Sequence, residues 1–206
     1  MNERALPVVI INTECANLAS VANAVKRLGY PALVSDDAGH IERAERVILP
    51  GVGSAAAAMR SLQQKQLVHV IQQLQQPLLG ICLGMQLLTD YSSEGDVRCL
   101  GVIPGQTERL QVAQQQEQTL PLPHMGWNTL QQCHPAQTAL RDNDYYYFVH
   151  SYAVAVNDYT LASCHYGQTF AAVIGHNNFY GTQFHPERSG AAGARLLQQF
   201  LENGQC

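Results

Sequence analysis

The sequence predicts an α/β fold in which a doubly wound, mostly parallel sheet carries a β-rich insertion. Through the first third of the 206 residues, short apolar runs alternate with segments of helical period, which is typical of βαβ units. From about residue 97 to 166 the chain has short strand-like runs and Pro/Gly turns but no long helical period. We find neither an internal repeat nor a dividing linker, so we expect one domain over residues 1–206.

The first three strands are predicted from short apolar runs. Residues 8–11 (VVII) are a β-branched run that suits a strand buried on both faces. Asn17 is then placed to cap the first helix, whose apolar residues recur with the helical period. Residues 31–34 and 47–49 are predicted as the second and third strands, and the third is closed by a turn at 50–53 (PGVG).

A helical region and a fourth strand complete the parallel part. Residues 55–62 and 66–74 are rich in Ala, Leu and Gln, which favours helices. The apolar run 77–81 follows and leads directly into Cys82. The fourth strand is therefore expected to end at a cysteine.

The remaining elements are predicted from shorter patterns. The polar, Gln-rich residues 111–118 are expected to form a solvated loop or a hairpin edge. Residues 171–174 and 178–184 are expected to form paired strands. Residues 191–201 are expected to form a final amphipathic helix.

Composition excludes several classes of protein. Charged residues make up only 14% and the net charge is -4, which argues against a nucleic-acid partner, because phosphate binding requires clustered Lys and Arg. The chain has neither a signal-peptide pattern nor an apolar run that could cross a membrane, so we expect a cytoplasmic protein without membrane contact. Its 6 cysteines are scattered without a C-x-x-C pair, which favours free thiols and no metal site.

The most specific motif is G-I-C-L-G at residues 80–84, between a predicted strand and a predicted helix. It has the form of a nucleophile elbow with Cys82 in the place of a serine. The positive end of the following helix would favour the thiolate, and the amide of Leu83 would point to where an oxyanion develops. The alternative is a buried structural cysteine between two turn glycines.

A base and a glycine-rich turn accompany this cysteine. His185 follows a strand-like run, and Glu187 lies two residues on, so in an extended segment the carboxylate would share a face with the imidazole and orient it. The alternative is a turn with an exposed acid. The PGVG turn at residues 50–53 could offer N–H groups to an oxyanion, although a simple strand-to-helix turn has the same composition.

Together these motifs resemble the class I (triad-type) glutamine amidotransferases, whose fold is flavodoxin-like with a β-rich insertion. The resemblance rests on 80–88 (GICLGMQLL), 184–190 (FHPERSG) and 50–53 (PGVG). Two more runs, 124–128 (HMGWN) and 147–152 (YFVHSY), narrow it to the glutaminase subunits of imidazole glycerol phosphate synthases. The five motifs occur in the family's order and extend over essentially the whole chain.

The resemblance implies hydrolysis of L-glutamine to glutamate and ammonia by Cys82, His185 and Glu187, with no cofactor. The amides of Val52 and Leu83 would form the oxyanion hole. The ammonia would pass to a cyclase subunit, a separate (β/α)8 barrel, within a heterodimer. That partner would form imidazole glycerol phosphate and aminoimidazole carboxamide ribotide in L-histidine biosynthesis.

The resemblance also implies binding residues. Glutamine would be held by Gly51, Gln86, Glu94 and the backbone of Ser151 and Tyr152. The partner would be contacted by Asn17, Trp127 and Arg188. Each has an ordinary alternative: an exposed helical Gln, a solvated loop acid, a core or turn Trp, or an exposed Arg. One departure from the family is that Glu14 and Ala16 stand where small, flexible residues are common.

Two other functions are compatible with parts of this pattern. One is the glutaminase of another pathway, such as carbamoyl phosphate or anthranilate synthesis, which the HMGWN and YFVHSY runs disfavour. The other is a non-catalytic flavodoxin-like module that senses redox state through Cys82. That alternative leaves His185 and Glu187 unexplained.

Overall fold

The structure is a computed structural model that describes residues 6–14, 18–112, 114–115, 118–135 and 138–206. The parallel part is formed by β1 (Leu6–Ile11), α1 (Leu18–Arg27), β2 (Ala32–Ser35), α2 (Ala38–Glu42), β3 (Ala44–Gly51), α3 (Ala55–Gln64), α4 (Leu67–Gln72), β4 (Leu78–Cys82) and α5 (Leu83–Leu87). The insertion and C-terminal part are formed by β5 (Tyr91–Ser92), β6 (Val97–Arg98), β7 (Gln106–Arg109), β8 (Gln114–Gln115), β9 (Gln118–Thr119), β10 (His124–Thr129), β11 (Tyr145–His150), β12 (Tyr152–Val154), β13 (Thr160–Tyr166), β14 (Gln168–His176), β15 (Phe179–Thr182), a 3-10 turn (Pro186–Arg188) and α6 (Gly190–Asn203). None of the helices in these ranges is long and apolar enough to span a membrane.

The central sheet begins with five parallel strands in the order β2-β1-β3-β4-β15. This is the strand order of flavodoxin-like sheets, with β15 in the place of the fifth strand. The sheet then continues through β14, β12, β7, β5 and β6, where antiparallel pairs predominate, and β13 pairs with β14. The predicted fold, a doubly wound sheet with a β-rich insertion, is confirmed.

Both faces of the parallel strands are covered, because successive side chains point to opposite faces. Val8 and Ile10 of β1 pack in one core with residues of α1 and α6. Val9 and Ile11 pack in the other core with residues of α3 and α4. This two-faced burial explains why the run at residues 8–11 is uniformly apolar.

The strands β10 and β11 form a separate two-stranded antiparallel sheet. Tyr146 and Phe148 of β11 are fully buried in the core that contains α1 and α6. Alternate positions face outward, so Tyr145 is exposed, as are Met125 and Trp127 of β10. The short hairpin β8–β9 lies within the Gln-rich segment, in agreement with the predicted hairpin edge.

Most predicted elements are present, with two differences. The third strand does not end before the PGVG turn, since β3 continues through Pro50 and Gly51 in parallel register with β4. The short helix α2 was not predicted. Asp37 caps it by accepting a hydrogen bond from His40 N at 2.9 Å, and only Ile41 among its described residues is buried, so it has too few apolar positions for a periodic signal.

Candidate active site

Cys82 lies at the point where β4 meets α5, and its backbone has the unusual angles φ 54 and ψ -110. A non-glycine residue with positive φ is strained, and such strain is typical of a nucleophile elbow. The cysteine is buried in the protein, but its side chain lines a cavity at the carboxyl ends of β3 and β4. In doubly wound sheets, this edge is where ligands bind.

Close backbone contacts around the elbow require glycine. A Cβ on Gly84 would lie 1.8 Å from the carbonyl oxygen of Leu49, and one on Gly80 would lie 2.6 Å from the carbonyl oxygen of Gly84. A Cβ on Gly51 would approach Leu83 Cβ to 3.0 Å. The glycines therefore allow β3 and α5 to approach each other beside Cys82.

His185 and Glu187 form a hydrogen-bonded pair on the strand-to-helix connection after β15. The distance from His185 Nδ1 to Glu187 Oε1 is 2.9 Å, and the Glu187 side chain is only 4% exposed. The contact was predicted for an extended segment, and that reasoning is wrong, because the residues from Pro186 to Arg188 form a 3-10 turn. The turn, and not a shared strand face, brings the carboxylate back to the imidazole. Burial of the acid excludes an exposed surface turn.

The backbone at His185 is attached to β11. His185 N donates to the carbonyl of Tyr147 at 2.9 Å. Ser189 Oγ donates to the carbonyl of His185 at 2.7 Å and accepts from Tyr147 N at 3.0 Å. No signal in the sequence identified Ser189, because its hydroxyl joins Tyr147 to His185 only when β11 lies beside the turn.

The pKa of His185 reflects three influences. Burial lowers it, but the nearby Cys82 and the hydrogen-bonded Glu187 favour the charged ring, outweigh burial and raise the pKa from 6.5 to about 10. The ring is therefore protonated at neutral pH. Its Nε2 atom is buried and has no hydrogen bond of ordinary geometry to the described residues. Nδ1 is held by Glu187, so Nε2 is the atom available for proton transfer.

One cavity of about 300 Å³ collects the predicted catalytic, oxyanion-hole and glutamine-binding residues. Its lining includes Cys82, His185, Glu187, Val52, Leu83, Gly51, Gln86, Glu94, Ser151 and Tyr152. They come from five places in the chain: the end of β3 and the turn after it, the β4–α5 elbow, the β5–β6 loop, the β11–β12 connection and the turn after β15. No group of three or more His, Cys, Asp or Glu side chains within the described ranges is arranged to hold a metal ion.

Gln86 and Glu94 are more constrained than the sequence suggested. Gln86 is not an exposed helical residue: it is 3% exposed, and Nε2 donates to the carbonyl of Tyr152 at 2.8 Å and to Gln183 Oε1 at 2.9 Å. Glu94 is not a freely solvated acid, because Oε2 accepts from Ala55 N at 3.0 Å at the start of α3. The Oε1 atom of each residue takes no part in these hydrogen bonds.

The predicted partner-contact residues lie in different places. Trp127 is 55% exposed and packs edge-on to Tyr147, with ring centroids 5.9 Å apart, so it is neither a core nor a turn residue. The guanidinium carbon Cζ of Arg188 lies over the Tyr147 ring, 5.7 Å from its centroid. Arg188 also lines the cavity. Asn17 lies outside the described residues. Exposed Trp127 and Arg188 and partly buried Tyr147 form a cluster beside the cavity, which we call the rim cluster.

The departure at Glu14 has a structural explanation. Glu14 has φ 59, a left-handed backbone that favours glycine. Its carboxylate pairs with Lys65 Nζ at 2.9 Å, and the same ammonium contacts Asp36 at 2.8 Å and the carbonyl of Asn12 at 3.0 Å. The Lys65 contacts therefore hold Glu14 in this left-handed conformation, and Ala16 lies outside the described residues.

A pair of buried histidines beside the cavity was not predicted as a unit. His124 Nδ1 and His150 Nε2 are 3.1 Å apart, and His150 Nδ1 lies 2.9 Å from the carbonyl of Tyr152. Because a carbonyl only accepts, His150 carries its proton on Nδ1 and its Nε2 accepts from His124 Nδ1. Burial lowers the pKa of His124 to about 4 and that of His150 to about 3. Both rings are therefore neutral.

We expect this pair to make the protein sensitive to acid. A histidine whose folded pKa lies below its unfolded value of about 6.5 contributes stability that is complete above about pH 6.5 and is lost as pH falls towards the folded pKa. As pH falls from 7 to 5, we expect each of the two rings to lower the free energy of unfolding by about 2 kcal/mol. Over the same interval the raised pKa of His185 increases the free energy of unfolding by less than about 1 kcal/mol, so the net effect is destabilising.

NMR titration of the imidazole C–H resonances of His124 and His150 tests this expectation. Neither resonance should titrate while the protein stays folded. Titration of His124 or His150 near pH 6.5 would contradict the neutral, hydrogen-bonded pair.

Comparison with known proteins agrees with this geometry. The family model described as glutamine amidotransferase class-I matches residues 9–203. The imidazole glycerol phosphate synthase subunit HisH of Idiomarina loihiensis is 60% identical over 199 residues, covering 97% of this chain and 99% of that protein. The subunit of the same name from Pasteurella multocida is 54% identical and covers 95% of this chain and 98% of its own.

Solved structures show the same fold at low sequence identity. A crystal structure of a glutamine amidotransferase has a TM-score of 0.70 at 17% identity and covers 94% of this chain and 97% of its own. The structure of PurLQS from Thermotoga maritima has a TM-score of 0.66 at 17% identity, covering 94% of this chain and 96% of its own. The doubly wound sheet with its insertion is thus shared with these proteins.

Proposed function

The chain belongs to the class-I glutamine amidotransferase family, and from that premise we propose that it hydrolyses L-glutamine to glutamate and ammonia. One observation carries the proposal. Cys82 in its strained elbow and the His185–Glu187 pair at 2.9 Å line the same cavity. A thiol, an oriented imidazole and a carboxylate together are what nucleophilic catalysis on an amide requires.

In the first half of the reaction, the Cys82 thiolate attacks the γ-amide carbon of glutamine and an S–C bond forms. Protonated His185 gives its Nε2 proton to the amide nitrogen, the C–N bond breaks, and ammonia leaves a γ-glutamyl thioester. The raised pKa of His185 favours this protonated starting state. Glu187 keeps Nδ1 occupied and so directs Nε2 to the reacting atoms.

In the second half, neutral His185 takes a proton from water, and the hydroxide attacks the thioester carbon. The S–C bond breaks, glutamate leaves, and Cys82 returns as a thiolate beside protonated His185. Negative charge develops on the carbonyl oxygen in both halves. The amides of Leu83, at the N-terminus of α5, and of Val52, in the glycine-flanked turn, are the proposed donors to that oxygen.

We assign glutamine recognition to acceptor groups and backbone in the cavity. Gln86 and Glu94 each retain an Oε1 oxygen that is free of the bonds given above, and acceptors suit the α-ammonium group of the substrate. Gly51 and the backbone of Ser151 and Tyr152 complete the proposed pocket. The half-open cavity of about 300 Å³ is large enough for one amino acid.

We further propose that the ammonia is used by a cyclase subunit of imidazole glycerol phosphate synthase, in a heterodimer that acts in L-histidine biosynthesis in the cytoplasm. Relatives at 60% and 54% identity carry the name of the HisH subunit of that enzyme, which supports this assignment over glutaminases of other pathways. The rim cluster is the proposed contact surface, because Trp, Tyr and Arg are typical anchors of interfaces and both Trp127 and Arg188 are exposed. Asn17 stays a predicted contact.

The partner is expected to activate the glutaminase. Gly51 and Gly53 flank Val52, and Gly53 has φ 92, so the peptide groups of the turn can take more than one orientation. Docking of a partner beside the turn would select the orientation that points Val52 N–H at the oxyanion. The isolated chain should therefore hydrolyse glutamine slowly, and a matching cyclase should raise kcat by about tenfold to a hundredfold.

A glutaminase assay with and without the cyclase tests the proposed function. A barrel enzyme from another pathway serves as the control and should have no effect. Turnover that is equal with and without the cyclase would contradict activation by the partner. Absence of glutamine hydrolysis in the complex would contradict the proposed function itself.

A further inference from the structure

A chain of polar groups, most of them buried, connects β10 to the sulfur of Cys82. Asn128 Nδ2 lies 3.4 Å from His124 Nε2, and the His124–His150 pair continues to the carbonyl of Tyr152. That carbonyl also accepts from Gln86. Because each histidine has a single donor nitrogen, every bond from Asn128 to Tyr152 has only one possible direction.

The orientation of Gln183 follows from its bond to Gln86. Gln86 Nε2 directs its two protons at two acceptors, the Tyr152 carbonyl and Gln183 Oε1. The amide of Gln183 is therefore turned so that its oxygen faces Gln86, and its Nε2 lies 3.8 Å from Cys82 Sγ. Gln183 is 0% exposed, and its own backbone N–H donates to the carbonyl of Ala172 at 2.8 Å.

Besides His185, the sulfur of Cys82 has two polar neighbours of opposite kind. The carbonyl of Val149, 3.8 Å away, can only accept, so it interacts favourably with the neutral thiol. Gln183 Nε2 is a donor, so it interacts favourably with the thiolate, as buried donors do with anions. Loss of the Gln183 donor would leave the thiolate with the Val149 carbonyl oxygen on this side and with His185 as its remaining cationic neighbour.

We propose that Gln183 is a positioning residue that holds the Cys82 sulfur and stabilises its thiolate, with its amide kept in register by Gln86. The inference builds on Cys82 as the nucleophile of the proposed reaction. It concerns the state of the sulfur before glutamine binds, so it can be tested without turnover.

Other charged and titratable groups also face the sulfur across the cavity. His185 and Glu187 come from the turn after β15, Arg188 from the same turn, and Glu94 from the loop between β5 and β6. His150 and Tyr152 come from the β11–β12 connection. A substitution of Gln183 leaves all of these groups in place, so a change in the ionisation of Cys82 is assigned to the lost donor.

The test is the pH dependence of Cys82 alkylation by iodoacetamide in the full chain, measured by mass spectrometry on the peptide that contains residue 82. Gln183→Met has a side chain of similar length without an amide donor. We expect the midpoint of the alkylation profile to move upward by about one pH unit, which is about tenfold slower alkylation below the midpoint. Gln86→Met, which removes the bond that orients Gln183, should move it in the same direction by less.

Ser163→Ala is the matched control. Ser163 is buried and its hydroxyl donates to the carbonyl of Gln131 at 3.1 Å, outside the chain of bonds that ends at Cys82. The Ser163→Ala variant should have the same midpoint of Cys82 alkylation as the wild type. An unchanged midpoint in folded Gln183→Met, or an equal upward shift in Ser163→Ala, would overturn the proposal.

A measurement on the wild-type chain keeps the proposal testable if Gln183→Met does not fold. The side-chain N–H resonances of Gln183 should shift over the same pH range in which Cys82 becomes reactive, because the hydrogen bond strengthens as the sulfur gains charge. Alkylation of Cys82 should abolish that shift. Gln183 resonances that stay constant while Cys82 titrates would overturn the proposal.

Discussion

Replacing Cys82 by alanine should reduce glutamine hydrolysis about a thousandfold or more, because no other described thiol lies in the cavity. The substitution removes the atom that forms the thioester and leaves His185 and Glu187 in place. The measurement is the release of glutamate from glutamine by the complex with the cyclase. The same complex supplied with free ammonia should still form the cyclised product, since the synthase site is on the partner.

Cys99→Ala is the control for loss of a thiol. Cys99 is a free, partly buried cysteine that does not line the cavity, and its sulfur lies 3.8 Å from the carbonyl of Val97. Its variant should hydrolyse glutamine at nearly the wild-type rate. Undiminished glutamine hydrolysis by Cys82→Ala would rule out Cys82 as the nucleophile.

Replacing Gly84 by alanine should destabilise the fold and abolish activity together. The new Cβ would lie 1.8 Å from the carbonyl oxygen of Leu49 and 2.8 Å from its carbonyl carbon, and both are backbone atoms of β3 that cannot rotate away. The elbow and β3 must separate, which we expect to lower the free energy of unfolding by about 3 kcal/mol or more. Denaturant unfolding and the glutaminase assay measure the two effects.

Gly39→Ala is the matched control for adding a methyl group. Gly39 lies in α2, and the nearest atoms to its Cβ would be side-chain ends, Arg43 Nη1 at 3.0 Å and Asp37 Oδ1 at 3.2 Å. The Arg43 end can move, the contact with the capping oxygen of Asp37 requires a shift of only a few tenths of an ångström, and alanine favours a helix over glycine by about 1 kcal/mol, so the variant should be nearly as stable as the wild type. A Gly84→Ala protein with wild-type stability and activity would show that the elbow tolerates a wider separation.

The position of Cys82 in a strand-to-helix turn could be predicted because the signal is local. An apolar run, a glycine on each side of the cysteine and a helical pattern after it all lie within residues 77–88. The alternation of strands and helices is equally local, and it led to the doubly wound sheet. The run at 184–187 also marked His185 and Glu187 as partners for Cys82, about a hundred residues further along the chain, and the family resemblance supported that combination.

The contacts of Gln183 could not be predicted for a physical reason. Gln183 follows the end of β15 and lies between Thr182 and Phe184, and a single glutamine there has no pattern along the chain that identifies its partner. Its bond to Cys82 spans 101 residues, and its bond to Gln86 spans 97. The same holds for His124 and His150, which become partners only through the pairing of β10 with β11.

The sequence by itself determined the fold class, the elbow at Cys82 and the family, because these depend on neighbours along the chain and on motifs whose order is visible. Only the tertiary structure decided how Glu187 reaches His185, which ring nitrogen of each buried histidine carries the proton, and which way the amides of Gln86 and Gln183 face. Hydrogen bonds are short and directional, so their partners are settled only when distant segments meet. Local motifs therefore supply the reactive residues of the candidate site, and the packing of the sheet sets the orientation of their side chains.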